Sequence, residues 1–280
     1  KFSANGSNLI YSTYIGGSNH EIPHSLVVNS LNQLCMMGTS GSSDFPTTSG
    51  VLDDTFNGGP SLSLGAGYGF QYLNGCDIVV TKMNTNGNSL LASTFVGGTG
   101  NDGINRGSEL HYNYGDAFRG EIIVDVNDNI YVASTTSSSN FPTSSPFQSS
   151  YGGGGLDACI FKINSNLSTL AWSSYLGGTD YDCAYSIQLD SGGEIYITGG
   201  TKSNDFTTTS GALHESYLGG DSDGFITHLA ANGFSVIAST YIGTSGYDQC
   251  FFVQADINDD IFCVGQSDGS YPVTTGTYNN

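Results

Sequence analysis

Charge is what this sequence has least of: 11% of its 280 residues are Asp, Glu, Lys or Arg, against about a quarter in an ordinary soluble domain. The charge present is nearly all of one sign. Six basic residues face 25 acidic ones, a formal net charge of −19, so a polyanion is repelled over most of the surface and nucleic acid is excluded as an expected partner. No run of about 18 apolar residues occurs, so no helical membrane span is expected. Helical periodicity is almost absent, which excludes helical bundles and solenoids. What stands in place of charge is 40 glycines and a wealth of Ser, Thr and Asn, so hydroxyls and amides do most of the solvation. Such a composition suits a strand-rich extracellular protein better than a helical cytosolic one.

Chemical signatures are scarce as well. The five histidines, His20, His24, His111, His214 and His228, show no metal-ligand spacing. The many serines are not expected to be nucleophiles. Residues 152–155 are all glycine but lack the Lys-Ser/Thr and the helix of a phosphate loop.

A repeat is present instead. The segment Trp172-Ser173-Ser174-Tyr175-Leu176-Gly177-Gly178 has copies at Tyr11-Ser12-Thr13-Tyr14-Ile15-Gly16-Gly17, Ala92-Ser93-Thr94-Phe95-Val96-Gly97-Gly98 and Ala238-Ser239-Thr240-Tyr241-Ile242-Gly243-Thr244. Their first serines fall at 12, 93, 173 and 239, spacings of 81, 80 and 66. A second marker, Ser43-Asp44-Phe45-Pro46, returns as Ser139-Asn140-Phe141-Pro142, Asn204-Asp205-Phe206-Thr207 and Ser270-Tyr271-Pro272. An aromatic before proline reads as an extended corner with a buried ring. Between markers lie turns centred on Asn29, Asp125, Asp190 and Asp256, where Asn, Asp and Gly tolerate the positive φ of a hairpin. Each unit thus supplies four short strands, the minimal unit being the 66-residue one.

The longer spacings come from insertions at residues 60–75 and 104–119, which read as surface loops. Their aromatic residues, Tyr68, Phe70, Tyr72, His111, Tyr112 and Tyr114, are candidates for ligand or partner contact, the alternative being ordinary loop drift.

A four-stranded unit cannot bury both faces alone, so copies must pack face to face, and radial stacking in a β-propeller accomplishes this. The expected fold is all-β, a β-propeller of four-stranded antiparallel blades with about four repeats, at residues 24–99, 117–179, 184–244 and a partial 250–280. Residues 1–17 are expected to form the outer strand of a preceding or closing blade. The partial unit implies that the native polypeptide continues beyond both termini and completes a larger ring; completion by a neighbouring copy is the alternative.

The two markers and the aspartate turns resemble the SBBP repeat, a family of bacterial β-propeller repeats, over nearly the whole chain. The resemblance implies a large secreted or cell-surface protein, often cargo of the type IX secretion system, with no known catalytic residues. Thr207 in place of the corner proline and Gly243-Thr244 in place of Gly-Gly depart from the pattern.

Acidic residues recur just before each inner strand: Glu21, Asp102 or Asp116, Asp182 and Asp248, with Asp180 two before Asp182. Either they hold Ca²⁺, at Asp102, Asp180, Asp182 and Asp248, or they accept hydrogen bonds from turn amides. Cys159, Cys250 and Cys263 replace small apolar strand residues, which favours buried thiols, with a disulfide as the alternative. The expected function is non-enzymatic: a secreted or cell-surface scaffold or adhesion module whose partners are other proteins, surface glycans or copies of itself. The alternative is a glycan hydrolase or lyase with carboxylates at the central channel.

Overall fold

The turn residues and apolar runs place the strands. In the computed structural model, which describes residues 1–64, 69, 71–106, 110, 112, 113 and 115–278, the chain is all-β. Strands β1 (Glu21–Val28) and β2 (Leu34–Ser40) are followed by a two-residue ribbon, β3 (Leu62–Ser63) with β4 (Gln71–Tyr72), and then by β5 (Asp77–Met83) and β6 (Leu90–Val96). The first sheet has the antiparallel order β1-β2-β5-β6. A second is built from β7 (Glu121–Val124), β8 (Ile130–Thr136), β9 (Asp157–Ile163) and β10 (Leu170–Leu176). A third uses β11 (Asp182–Leu189), β12 (Ile195–Thr201), β13 (Asp223–Leu229) and β14 (Val236–Ile242). The fourth has two strands, β15 (Asp248–Ala255) and β16 (Ile261–Ser267).

Neighbouring sheets pack through their faces. Along β8 and β9, Ile130, Val132, Cys159 and Phe161 join a core with Met37, Ile78 and Val80 of the first sheet. The alternate residues Tyr131, Ala133, Ala158 and Ile160 join a second core with Ile187, Ile197 and Phe225 of the third. Period-two alternation therefore feeds two cores, which is why these strands read as unbroken apolar runs. The first strands also meet in succession, β1 with β7, β7 with β11 and β11 with β15. The corner rings Phe45, Phe141 and Phe206 are buried, while Tyr271 is half exposed. In two sheets the tyrosine hydroxyl of the first marker ties the corner down: Tyr175 donates to Ser138 O (2.7 Å) and accepts from Phe141 N (2.9 Å), and Tyr241 repeats this with Ser203 and Phe206.

Three expectations need correction. Residues 1–17 form no strand, only a Phe2–Leu9 bridge, because among the described residues no third strand lies beside them to complete a ladder. They lie against the first sheet, with Ile15 on Phe45, Val79 and Phe95. Tyr72 is fully buried with Leu62, Cys76 and Ile104, so it is core and not a contact residue.

The described residues of 104–119 do not form an outlying loop. β1, β11 and β15 each carry a bulge at the same place, leaving His24, Tyr185 and Phe251 unpaired. In the second sheet the chain bridges at Asp102–Thr136, departs at that position and returns at β7. The excursion packs back on those bulge residues. Leu110 is buried with Tyr185 and Phe251, and Phe118 contacts His24 at 6.3 Å between ring centroids. Arg119 lies 3.8 Å above Phe251 while pairing with Asp116 at 2.7 Å. All six cysteines are free thiols, five of them buried.

Because Phe161 sits between two sheets at 0% exposure, Phe161→Ala is expected to cost about 3–5 kcal/mol. Val126→Ala, at a turn tip 93% exposed, should stay within about 0.5 kcal/mol of wild type; urea unfolding measures both.

Candidate functional site

Successive sheets are joined by one arrangement, built from two glycine loops and two aspartates. The first aspartate opens the third strand of a sheet: Asp77, Asp157 or Asp223. The second opens the first strand of the next: Asp102, Asp182 or Asp248. Each pair is separated by the same 25 residues (102 − 77, 182 − 157, 248 − 223). Their backbones are tied too, since the amides of Asp102, Asp182 and Asp248 donate to the carbonyls of Cys76 (2.8 Å), Leu156 (2.9 Å) and Ser222 (2.8 Å).

All six carboxylates are essentially out of water, at 0–2% exposure. The first kind is held by its own loop, Asp77 accepting from Asn57 N (2.7 Å) and Gly58 N (3.0 Å), Asp157 from Gly152 N (2.6 Å) and Asp223 from Leu218 N (2.6 Å). The second kind is held by the glycine marker and by hydroxyls from the next sheet. Asp102 accepts from Gly98 N (2.8 Å), Ser138 Oγ (2.8 Å) and Thr136 Oγ1, and Asp182 from Gly178 N (2.7 Å) and Ser203 Oγ (2.8 Å). At Asp248 the serine position is taken by Gly269, and Thr244, whose hydroxyl fills the space a side chain there would need, supplies both the amide (2.6 Å) and the hydroxyl (2.8 Å). That accounts for Gly243-Thr244 in place of Gly-Gly.

The first glycine of each marker separates the two carboxylates. A Cβ on Gly97 would lie 2.5 Å from Asp77 Oδ1 and 2.8 Å from Asp102 Oδ2. At Gly177 the distances are 3.0 Å to Asp157 Oδ1 and 2.7 Å to Asp182 Oδ2, and at Gly243 they are 2.5 Å to Asp223 Oδ1 and 3.0 Å to Asp248 Oδ2. The Oδ1 atoms of Asp77, Asp157, Asp182, Asp223 and Asp248 are buried without a hydrogen-bond partner. Burial, reinforced by the facing aspartate and held back by amide bonds, pushes Asp77 and Asp223 up to about 7. For Asp157 and Asp102 burial alone raises the value to about 7, and Asp182, buried and facing Asp157, reaches about 8.

Of the residues expected to hold a cation, the structure thus brings Asp102, Asp182 and Asp248 into equivalent places, each with a partner the sequence reading missed. The constant 25-residue interval was the signal that could have found Asp77, Asp157 and Asp223. Asp180 is not part of the pair, since its carboxylate accepts from the adjacent Tyr181 N (2.9 Å). Asp116 belongs to the central excursion, bound to Arg119. Glu21 takes the second position in the first sheet, accepting from Ser40 Oγ (3.0 Å) and Ser42 Oγ.

Of the candidate contact residues, Tyr68, Phe70, His111 and Tyr114 lie outside the described residues. Tyr112 is exposed yet stacks on Tyr247, centroids 4.7 Å apart.

Two further groupings have local explanations. Asp190, Glu194 and His228 bring one ligand atom each within 4.8 Å, but His228 Nε2 already lies 2.8 Å from Glu194 where the second sheet pairs Lys162 with Asp125 at 3.0 Å. Gly265-Gln266-Ser267-Asp268-Gly269 has the spelling of a nucleophile elbow, yet Ser267 ends an antiparallel strand opposite Asp248 and accepts from Gly269 N (3.2 Å), with no helix behind it.

No family model and no curated protein matches the chain. The resemblance to the SBBP repeat therefore rests on the motifs alone.

Two outcomes are expected here. Gly177→Ala forces a methyl against both carboxylates and should destabilise the fold by about 1–3 kcal/mol, read by urea titration. The second concerns pH. An aspartate raised to about 7 or 8 binds its proton more tightly folded than unfolded, where its value is about 4. Its stabilising contribution is present at low pH and is lost as pH rises through the folded value. In a chelating buffer the melting temperature should therefore climb as pH falls from about 8.5 to 6.5. Below that, His24, held neutral by burial down to about 4, works in the opposite sense. A melting temperature that falls over the upper window would contradict the reading.

Proposed function

We propose that this chain is a β-propeller segment of the SBBP kind, exposed outside a bacterial cell, that serves as a non-enzymatic scaffold or adhesion module. The observation that carries the reading is the junction itself. The same two-aspartate, two-loop arrangement recurs between consecutive sheets, and among the described residues no asymmetric set of acid, base and nucleophile stands against it. Stacking of the sheets through their faces, with first strands meeting in succession, is the packing that a radial arrangement of blades requires.

The hydrolase reading loses support at the turns. Asp125, Asp190 and Asp256 each spend an oxygen on their own hairpin amides: Asn127 N and Asn129 N (both 2.9 Å), Gly192 N and Glu194 N (both 2.8 Å), and Asn258 N (2.7 Å) with Asp260 N (3.0 Å). Carboxylates used in this way close turns and do not face a sugar ring. The partners of a charge-poor, hydroxyl-rich surface are other proteins, surface glycans or further copies of the chain.

The test is a pair of assays on the full chain: binding to an array of surface glycans and cell-wall proteins, and turnover of a polysaccharide panel. Binding without turnover is the expected result. Turnover abolished by Asp190→Asn or Asp256→Asn would replace the scaffold with the hydrolase.

A further inference from the structure

We propose that each of the three carboxylate pairs, Asp77 with Asp102, Asp157 with Asp182 and Asp223 with Asp248, binds one calcium ion that pins a sheet to the next. The pairs are repeated, buried and lined by glycine-rich loops. Two carboxylates aimed at one point in a water-free junction repel each other, and such charges persist only when paired or coordinated. Among the described residues no Lys or Arg pairs with any of the six. Nor do the two members of a pair satisfy each other: no hydrogen bond joins them, and the Oδ1 atoms of Asp77, Asp157, Asp182, Asp223 and Asp248 are buried without a partner at hydrogen-bond geometry. Each junction thus offers bare, buried oxygen from one or both carboxylates with nothing to receive it.

The surroundings suit a hard cation. The two glycine loops run so close that a Cβ on Gly59 would stand 2.5 Å from Gly100 O. Gly154, at φ +62, and Gly220, at φ +73, would likewise strike the facing backbone at residues 180 and 246. Backbone carbonyls, carboxylates and the junction hydroxyls are oxygen ligands within such a cleft, and calcium takes six to eight oxygens from such groups and from water. Sulfur and imidazole, which would favour a transition metal, contribute no ligand. The reading moves the cation from the sequence-level set to the pairs: Asp180 is not a ligand, and Asp77, Asp157 and Asp223 are.

The test uses the full chain, stripped with a chelator and returned to calcium-free buffer at neutral pH, with calcium chloride as the only probe. Titration calorimetry and native mass spectrometry should count about three ions per chain, with Kd of about 10⁻³ M or tighter as in extracellular modules. The melting temperature should rise with calcium. Asp157→Asn should lose one ion, Asp157→Asn with Asp223→Asn two, and Asp180→Asn none. Wild-type chain that is folded by circular dichroism yet takes up no calcium at millimolar concentration overturns the proposal, whatever the variants do. Uptake undiminished in Asp157→Asn overturns it as well, since binding would then belong to the acidic surface. Should Asp157→Asn fail to fold, Asp223→Asn alone gives the same reading at the third junction.

Discussion

A sheet that is apolar on both faces has no solvent side, and the rest of this structure follows from that constraint. The middle strands of the second sheet, β8 and β9, are buried along nearly their whole length. Such a sheet is stable only between two others, because burying one face leaves the second in water. Antiparallel sheets usually solve this by turning a polar face outward. Here the polar strand residues, such as Ser134, Thr135 and Thr136 at the end of β8, are small hydroxyls that are themselves buried.

Face-to-face packing alone leaves sheets free to slide, and the junctions remove that freedom. Asp102, Asp182 and Asp248 are each hydrogen-bonded to the marker of the sheet behind, and the backbone bonds to Cys76, Leu156 and Ser222 fix the approach. The second marker closes the same joint. Asp44, Asn140 and Asp205, one residue before the corner aromatic, accept from the amides of Ser18 (2.8 Å), Thr99 (2.9 Å) and Thr179 (2.9 Å), which follow the Gly-Gly of the preceding unit. The two markers recur together because they are two sides of one contact.

Much of this was legible in the chain. Turn aspartates, corner aromatics and strand order followed from local chemistry, since each depends on neighbours in sequence. What escaped depends on residues distant in sequence. Nothing next to Asp77, Asp157 and Asp223 in sequence reveals that the facing sheet sets a second carboxylate opposite each. Tyr72 sat in a glycine-rich insertion, and nothing in that insertion's composition reveals that Leu62 and Ile104 close over its ring. The excursion at 104–119 was recognised as an insertion but not as the filling between bulges, because a bulge is a property of paired strands and leaves no mark on one strand alone.

The departures between units give a last argument about which features the joint requires. Where Gly269 stands in place of the junction serine, Thr244 supplies the hydroxyl. Where His228 replaces the lysine found at Lys82 and Lys162, Glu194 stands where Gln33 and Asn129 stood and gives the imidazole a partner. Where Phe95 takes the place of Tyr175 and Tyr241, the hydroxyl bridge to the corner is lost and the ring packs on Phe45 and Phe56 instead, at 6.0 and 5.7 Å. Each of these changes exchanges one local solution for another of similar energy. The paired aspartates show no such exchange in three junctions, although a buried pair of like charges is the least favourable arrangement in the molecule if left alone. An Asn at either position would keep an acceptor for the loop amides and remove the repulsion. Hydrogen bonding to the loops therefore does not explain why both members are acids, whereas a requirement for two negative charges at one point does.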